Sequence, residues 1–168
     1  MTMFSKELIQ TDSLSFRPIE PADESLLLAI YASTRAEEMA LVPDWSAEQK
    51  DVFLTQQFRA QHQYYQQMYK NKQFGMLLYE GHPAGRLYLD HRPEEVRIVD
   101  IALLPDFRGR GFGEDTLRRI MHAAAAEGKR TTIHVERYNR ALHLYQRLGF
   151  QVINEDNPVY LLMEWKAS

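Results

Sequence analysis

The chain has 168 residues, 45% of them hydrophobic, which suits one domain with a buried core. Its formal net charge of -3 argues against a general nucleic-acid binder, since such proteins need a basic surface. The absence of cysteine excludes disulfides, thiolate metal ligands and a cysteine nucleophile. Because no apolar run approaches the roughly 20 residues of a membrane span and the N-terminal stretch MTMFSKELIQ has no secretory apolar core, we expect a soluble cytoplasmic domain that binds neither nucleic acid nor membrane.

The N-terminal third is predicted to form one strand and then helices. SLSFRPI alternates polar and apolar residues like a half-buried strand, and Pro21 suits the first turn of the helix that follows. The inward face of that helix is Leu27, Ile30, Tyr31 and Thr34. Ser46 and Gln49 form a candidate capping box for a long helix that runs to about Tyr69.

This long helix carries two apolar stripes. The first stripe is Phe53, Ala60, Tyr64 and Met68. The second stripe is Leu54, Phe58, Tyr65 and Tyr69. Because one stripe is enough to dock a helix on its own core, the second is either a wider packing face or the wall of a substrate cleft or subunit interface.

The rest of the chain alternates strands and helices. FGMLLYEGHPAGRLYLD predicts two strands around a Gly/Pro turn, and VRIVDIALLP predicts a central strand covered on both faces. After a glycine loop, a helix with Leu117 and Ile120 on its apolar face ends at Gly128, a natural C′ residue. TTIHVE is the next strand, and its unit with the preceding strand and helix places the two strands parallel.

The C-terminal part begins with a helix, NRALHLYQRLGF, which Asn139 can cap at its start and Gly149 at its end. Two closing strands follow, around FQVINED and VYLLMEW. The predicted hairpins add antiparallel strands to the parallel pair. The sequence therefore predicts one mixed α/β sheet with helices on both faces.

The glycine loop PDFRGRGFGED, residues 105–115, matches neither well-known phosphate-binding motif. It has no lysine and Ser/Thr placed for a P-loop, and Glu114 stands where the dinucleotide motif needs its last glycine. A loop that follows a strand and opens a helix still has unpaired main-chain N–H groups, and small residues let an anion approach them. Arg108 and Arg110 add positive charge, so the loop is either a pyrophosphate cradle or a tight strand-to-helix turn.

Two motifs, in this order and at this spacing, resemble the GNAT family of acyl-CoA N-acyltransferases. The family's [RQ]-x-x-G-x-[GA] pattern is matched by Arg108, Gly111 and Gly113. Its second pattern, an Asn at a helix start, a Tyr six residues on and then Gly-Phe, is matched by Asn139, Tyr145, Gly149 and Phe150. The resemblance is strong over residues 96–150. It implies a single GNAT domain over residues 1–168, with the helices at about 21–69 forming part of the acceptor site.

The same resemblance implies the GNAT fold, a mostly antiparallel sheet with one splayed parallel strand pair, and acetyl-CoA as cosubstrate without a metal. The main chain of the loop would hold the coenzyme A pyrophosphate, through Arg108, Gly109, Arg110, Gly111, Phe112 and Gly113. The preceding strand, at Ile101 and Leu103, would offer main-chain groups to the pantetheine arm and usually carries a bulge that opens a gap to the next strand. Asn139 would bond that arm, or serve as a plain helix cap.

Tyr145 is the implied general acid, because a donor near the sulfur stabilises the leaving thiolate; its alternative role is core packing. Main-chain N–H groups near Leu103 would meet the oxyanion. Asp100 lies within an otherwise apolar strand, where a carboxylate is costly unless paired. It is either the partner of an arginine or histidine on a neighbouring strand, or a base or orienter of the amine. His134, on the neighbouring strand, is its candidate partner or an alternative base.

The resemblance therefore implies an N-acetyltransferase that moves an acetyl or another small acyl group directly to a small-molecule amine or a peptide. The acceptor site is expected between the N-terminal helices and the strands at 86–100, with Trp45, Tyr64 and Tyr65 as candidate walls. A homodimer is common in the family.

The alternative is a CoA-binding sensor or regulatory module without catalysis. Such a module would keep the glycine loop and Asn139 but would not need Tyr145 or Asp100. The sequence does not identify the acceptor.

Overall fold

The computed structural model describes residues 14–168; Ser13 of the first predicted strand and the N-terminal stretch MTMFSKELIQ lie outside these residues. The strands are β1 Leu14–Pro18, β2 Lys72–Tyr79, β3 His82–His91, β4 Glu95–Leu103, β5 Arg130–Glu136, β6 Gln151–Asn154 and β7 Tyr160–Trp165. The helices are α1 Glu24–Thr34, α2 Ala36–Ala40, α3 Ala47–Met68, α4 Phe112–Ala126 and α5 Leu142–Leu148. No helix within residues 14–168 is long and apolar enough to cross a membrane.

The strands form one seven-stranded sheet in the order β1-β2-β3-β4-β5-β7-β6. All neighbouring strands run antiparallel except β4 and β5, which are parallel as predicted. The β4–β5 ladder runs from Glu95, opposite Arg130, only as far as Ile98, opposite Ile133. Beyond Ile98 no described residue of β4 pairs with β5, so the two strands separate and leave an opening in the sheet.

Helices cover both faces of this sheet, and each face has its own core. On one face α4 and α5 bury Leu117, Ile120, Tyr145 and Leu148 against the strands. On the other face α1 and α3 bury Leu27, Ile30, Tyr31, Leu54 and Phe58. The predicted α/β fold with a splayed parallel pair is confirmed.

Local sequence patterns fix several helix ends. Ser46 and Gln49 form the predicted capping box: the Gln49 N–H donates to Ser46 Oγ at 3.1 Å, and the Ser46 N–H donates to Gln49 Oε1 at 2.8 Å. After α4, Gly128 has a φ of +72° and the Lys129 N–H reaches back to the carbonyl of Ala124 at 2.9 Å, which is a Schellman ending. The single N-terminal helix predicted from Pro21 onward is instead divided at Arg35 into α1 and α2.

The second apolar stripe of α3 is the one that docks on the sheet. Leu54 and Phe58 are buried, and the Tyr65 ring meets the Tyr88 ring of β3 edge-on, with centroids 6.1 Å apart. Of the first stripe, Phe53 packs against the same core, whereas Tyr64 is 53% exposed and Met68 57% exposed. Of the two interpretations of the second stripe, packing against the protein's own core is the one that the structure shows.

Candidate active site

The glycine loop connects the end of β4 to the first turn of α4. Gly109 and Gly111 have φ angles of +72° and +83°, and Gly111 is the residue that caps α4. Such angles suit glycine, because an L side chain is strained there. A Cβ atom built on either residue meets no atom within 4 Å, so open space lies in front of the loop.

The main chain of this loop is an array of unused donors. The flanking N–H groups of Arg108 and Asp115 donate to the carbonyls of Pro105, at 3.2 Å, and Gly111, at 3.0 Å. Between them, the N–H groups of residues 109–114 donate to no group within residues 14–168. Free N–H groups at a helix start bind anions, so the residues present fit a pyrophosphate.

The two arginines of the loop are used differently. Arg108 Nε donates to the carbonyl of Leu103 at 2.9 Å and its Nη2 to Ser33 Oγ at 3.2 Å, which ties the loop to β4 and to α1. The guanidinium of Arg110 makes no ion pair or hydrogen bond with the described part of the chain. It lies over three aromatic rings, with the Arg110 Cζ at 4.8 Å from the Tyr79 centroid, 5.1 Å from Phe112 and 5.9 Å from Phe107. Arg110 is therefore the loop cation that is available to a ligand.

A β-bulge in β4 decides which way Asp100 faces. Tyr88 of β3 lies opposite Asp100 and Leu89 lies opposite Ile98, so Val99 is the extra residue. Simple alternation would place Asp100 with Ile98 in the core under α4 and α5. The bulge instead turns Asp100 to the face covered by α1 and α3, where Val99 also packs. The bulge implied by the family resemblance is present.

Asp100 is paired with Arg86 of β3. Arg86 Nη2 donates to Asp100 Oδ2, and the same nitrogen donates to Gln61 Oε1 of α3 at 3.0 Å. The Arg86 side chain is 3% exposed and that of Asp100 is 21% exposed. We expected an arginine or a histidine as the partner of Asp100, and the structure shows the arginine Arg86 and not His134.

His134 lies on β5 opposite Leu162 of β7, and its ring centroid is 6.4 Å from that of Tyr160. Although His134 is an exposed residue, partial loss of solvation at its ring, followed by the positive charge of Arg97, lowers its pKa. A lowered pKa keeps this imidazole neutral near pH 7. The structure therefore brings Asp100 together with Arg86 and leaves His134 as a separate neutral group on the neighbouring strand.

Tyr145 of α5 is 4% exposed and belongs to the core on the α4 and α5 face. Its ring lies at a steep angle to Phe150, with centroids 6.0 Å apart, and its hydroxyl bonds to no group within residues 14–168. Burial and, secondly, the negative charge of Asp100 raise its pKa. Tyr145 is therefore a core residue whose hydroxyl has no hydrogen-bond partner within residues 14–168.

Asn139 does not cap α5 directly, because that helix begins only at Leu142. Its Oδ1 accepts a hydrogen bond from the Ala141 N–H at 2.8 Å, closing a turn before the helix. Asparagine side chains favour such local turns over helix positions. The amide NH2 of Asn139 donates to no group of the described chain, so it can donate to a ligand.

The negative charge of Asp100 affects three tyrosines. Burial is the main cause of the raised pKa of Tyr65, Tyr88 and Tyr160, and the charge of Asp100 contributes to each. Of the predicted wall residues, Tyr65 belongs to this group. Tyr64 points outward, and Trp45 packs edge-on against Phe53 at the start of α3, with centroids 5.4 Å apart.

Sequence reasoning missed Arg86, although the pattern that drew attention to Asp100 is present there too. Both are charged residues inside otherwise apolar strands, and each needs a partner if it is buried. Gln61 and Tyr160 carry no such pattern, because a polar helix residue and a strand tyrosine are ordinary on a surface.

Comparison with known proteins gives a consistent result. The model of the Acetyltransferase (GNAT) family matches residues 37–150. The chain is similar in structure to the paiA N-acetyltransferase from Thermoplasma acidophilum in complex with coenzyme A, with a TM-score of 0.67, 16% identity, and 92% of this chain and 99% of that chain covered. A search of curated proteins found no match.

Two further solved structures share this arrangement. One is an acetyltransferase from Thermus thermophilus, with a TM-score of 0.64, 20% identity, and 91% of this chain and 96% of that chain covered. The other is Arabidopsis thaliana Naa50 in complex with the bisubstrate analogue CoA-Ac-MVNAL, with a TM-score of 0.57, 15% identity, and coverage of 91% and 98%. At these identities the likeness establishes the fold.

Proposed function

Because the chain belongs to the GNAT acetyltransferase family, we propose that it transfers an acetyl group, or another small acyl group, from acetyl-CoA directly to an amine. The observation that carries this proposal is that the N–H groups of residues 109–114 donate to no group within residues 14–168. These groups follow the part of β4 that no longer pairs with β5. Acetyl-CoA supplies the acetyl group as an activated thioester. Direct transfer agrees with a sequence that has no cysteine to carry an acyl intermediate.

The coenzyme is held mainly by the protein backbone. The N–H groups of residues 109–114 receive the pyrophosphate, and Arg110 adds a positive charge beside them. Ile101 and Leu103 of β4 offer main-chain groups to the pantetheine arm along the edge that β5 leaves unpaired. The free amide of Asn139 donates to the same arm from the other side of the opening.

The reaction forms a bond between the amine nitrogen and the carbonyl carbon and breaks the carbon–sulfur bond. Main-chain N–H groups near Leu103 stabilise the oxyanion. Tyr145 donates from its hydroxyl to the leaving sulfur, and its raised pKa keeps that proton in place across the neutral range. Asp100 orients the incoming ammonium, whose proton leaves to water or to the neutral imidazole of His134.

The acceptor is an alkylamine or a peptide amine. Tyr65 and Tyr160 give its pocket aromatic walls, which suit an ammonium group and its aliphatic chain. A peptide is supported by one structural neighbour, which holds a bisubstrate analogue that joins CoA to the sequence MVNAL.

Two measurements test this function. Thermal shift with CoA, acetyl-CoA, ATP and NAD should show stabilisation by the CoA ligands alone. Release of free thiol from acetyl-CoA should then appear with some members of a panel of peptides and small amines. If CoA binds but no amine is acetylated, the protein is a sensor of acyl-CoA; if ATP or NAD stabilises it instead, the loop binds nucleotides.

A further inference from the structure

In the ion pair between Arg86 and Asp100, the arginine is the more deeply buried partner and the aspartate is the more exposed one. Arg86 lies deeper, 3% exposed, and the Nη2 that donates to Asp100 also donates to Gln61 Oε1 of α3. Asp100 lies in front of it and is 21% exposed. Its Oδ2 accepts from Arg86, while its Oδ1 accepts no hydrogen bond from residues 14–168. One carboxylate oxygen is therefore committed to the arginine and the other is free for a ligand.

This pair is not explained by stability. Removing two charges from water costs about as much as their attraction returns, and apolar residues of similar size often serve a core better. Here the pair also depends on the bulge at Val99, since a regular β4 would carry Asp100 to the opposite face. Two costly features combine to hold one carboxylate beside the opening between β4 and β5.

We propose that Arg86 is a positioning residue that controls, together with Asp100, the protonation of the acceptor amine. The inference rests on the proposed acetyl transfer. The free Oδ1 of Asp100 accepts a hydrogen bond from the acceptor ammonium and so holds the nitrogen in place. The guanidinium behind it repels a second cation, so the bound amine loses its proton more readily. Only the neutral amine has the electron pair that attacks the thioester.

The neighbouring titratable groups are uncharged at neutral pH, so Arg86 is the positive charge that acts on the amine beside Asp100. Titratable residues on the elements packed around it include Tyr65 and His62 of α3, Tyr88 of β3, His134 of β5, Tyr145 of α5 and Tyr160 of β7. The lowered pKa of His134 keeps its imidazole neutral, so it adds no charge beside the bound amine. Each of the four tyrosines has a raised pKa and stays uncharged at neutral pH. Burial, opposed by Glu24 and supported by Arg86, lowers the pKa of His62, which is therefore neutral as well.

The pH dependence of kcat at saturating acetyl-CoA and acceptor tests the proposal, because its acid limb reports groups in the ternary complex. Arg86→Gln leaves the negative charge alone, so the bound ammonium is stabilised and the limb moves to higher pH. Asp100→Asn leaves the positive charge alone, so the limb moves to lower pH. Each shift should be about one unit or more, as for charges within hydrogen-bonding range. The double variant should return the limb close to its wild-type position.

A second Arg–Asp pair, in which the aspartate is buried and the arginine is 33% exposed, provides the control. Arg17 and Asp23 are joined by two hydrogen bonds of 2.8 Å at the start of α1. Arg17→Gln and Asp23→Asn should lower the melting temperature without moving the limb. Because a structural role gives no reason for opposite shifts, the sign of the two displacements identifies the positioning role.

Three results would overturn the inference. If the enzyme is active and the variants fold, acid limbs that do not move, or that move in the same direction, refute the role of Arg86 and Asp100. The proposed acetyl transfer is not affected by that result. If Arg86→Gln does not fold, Asp100→Asn decides by itself, and an unchanged or raised limb refutes the proposal. A wild-type protein that binds CoA but acetylates no amine refutes the proposed function and this inference together.

Discussion

Replacing Tyr145 by phenylalanine removes one hydroxyl and leaves the ring in the core. The ring is 4% exposed and keeps its contact with Phe150. Because the hydroxyl has no hydrogen-bond partner within residues 14–168, the folded state loses no internal bond. We expect the free energy of unfolding to change by less than about 1 kcal/mol.

The catalytic effect should be much larger than the effect on stability. A hydrogen bond to a charged group contributes about 1.5–3 kcal/mol, and a donor to an oxyanion in a water-poor site about 2.7–4 kcal/mol. Because Tyr145 is buried, the bond that we propose it donates to the developing thiolate belongs in this range. At about 1.4 kcal/mol for each factor of ten, kcat should fall by about 100-fold. The KM for acetyl-CoA should change less than about 3-fold, because the bond strengthens only as the sulfur becomes charged.

Thiol release at saturating substrates measures this loss, and Tyr138→Phe is the matched control because Tyr138 is 95% exposed. Burial and Asp100 raise the pKa of Tyr145, so its proton is present below that pKa and is lost only as the pH rises through it. Wild-type kcat should therefore show no alkaline decline from Tyr145 below about pH 10. A folded Tyr145→Phe protein with kcat within about 3-fold of wild type would refute the donor role.

Two further predictions concern the coenzyme loop and stability in acid. Gly111→Ala places a side chain at a φ of +83° and in the open space before the loop. The Kd for CoA, measured by calorimetry, should therefore rise about 10-fold or more. The control is Gly81→Ala, at a φ of +80° in a hairpin, which should lower the free energy of unfolding by about the same 1–2 kcal/mol without changing that Kd. The hydrogen bond from Arg17 lowers the pKa of Asp23. The stability that Asp23 contributes is therefore present above its unfolded-state pKa and is lost as the pH falls through its folded-state pKa. Asp23→Asn should lower the free energy of unfolding by about 1–2 kcal/mol at pH 7 and flatten its acid pH dependence in urea titrations; an unchanged acid pH dependence would show that the pair does not cause it.

Features set by local chemistry were predictable from the sequence. The capping box of Ser46 and Gln49 needs only a hydroxyl and an amide three residues apart. Gly128 ends α4 because the chain must enter a left-handed turn there, which glycine adopts without strain. The glycine loop follows the same logic, since a strand, small residues and a helix start suffice to leave N–H groups free.

Features set by packing between distant segments were not predictable. The two stripes of α3 are neighbours on one helix, and its periodicity alone cannot decide which one meets the sheet. The outcome depends on where Tyr88 and Phe74 of the hairpin lie, since Tyr65 packs edge-on against both rings. Likewise, Asn139 forms a turn of its own before α5, because its side chain bonds to a nearby main-chain N–H as readily as it caps a helix.

The partner of Asp100 was predictable only as a residue type. A buried carboxylate requires a cation, but the register of β3 against β4 determines which one it meets. That register shifts by one residue at Val99, and nothing in the composition of IVDIAL distinguishes the bulged residue from its neighbours. Arg86 therefore emerges from the structure, although the charge of Asp100 made some such partner necessary.

The bulge at Val99 connects the two halves of the site. A regular β4 would place the carboxylate of Asp100 beside Ile98 in the apolar core under α4 and α5, where burying it would cost several kcal/mol. The bulged register is thus the arrangement in which this sequence can bury Asp100. The same extra residue comes directly after Ile98, where the ladder with β5 ends, while β3 continues to pair with β4 on the other side. One added residue therefore exposes the strand edge proposed for the acyl arm and delivers the carboxylate proposed for the amine.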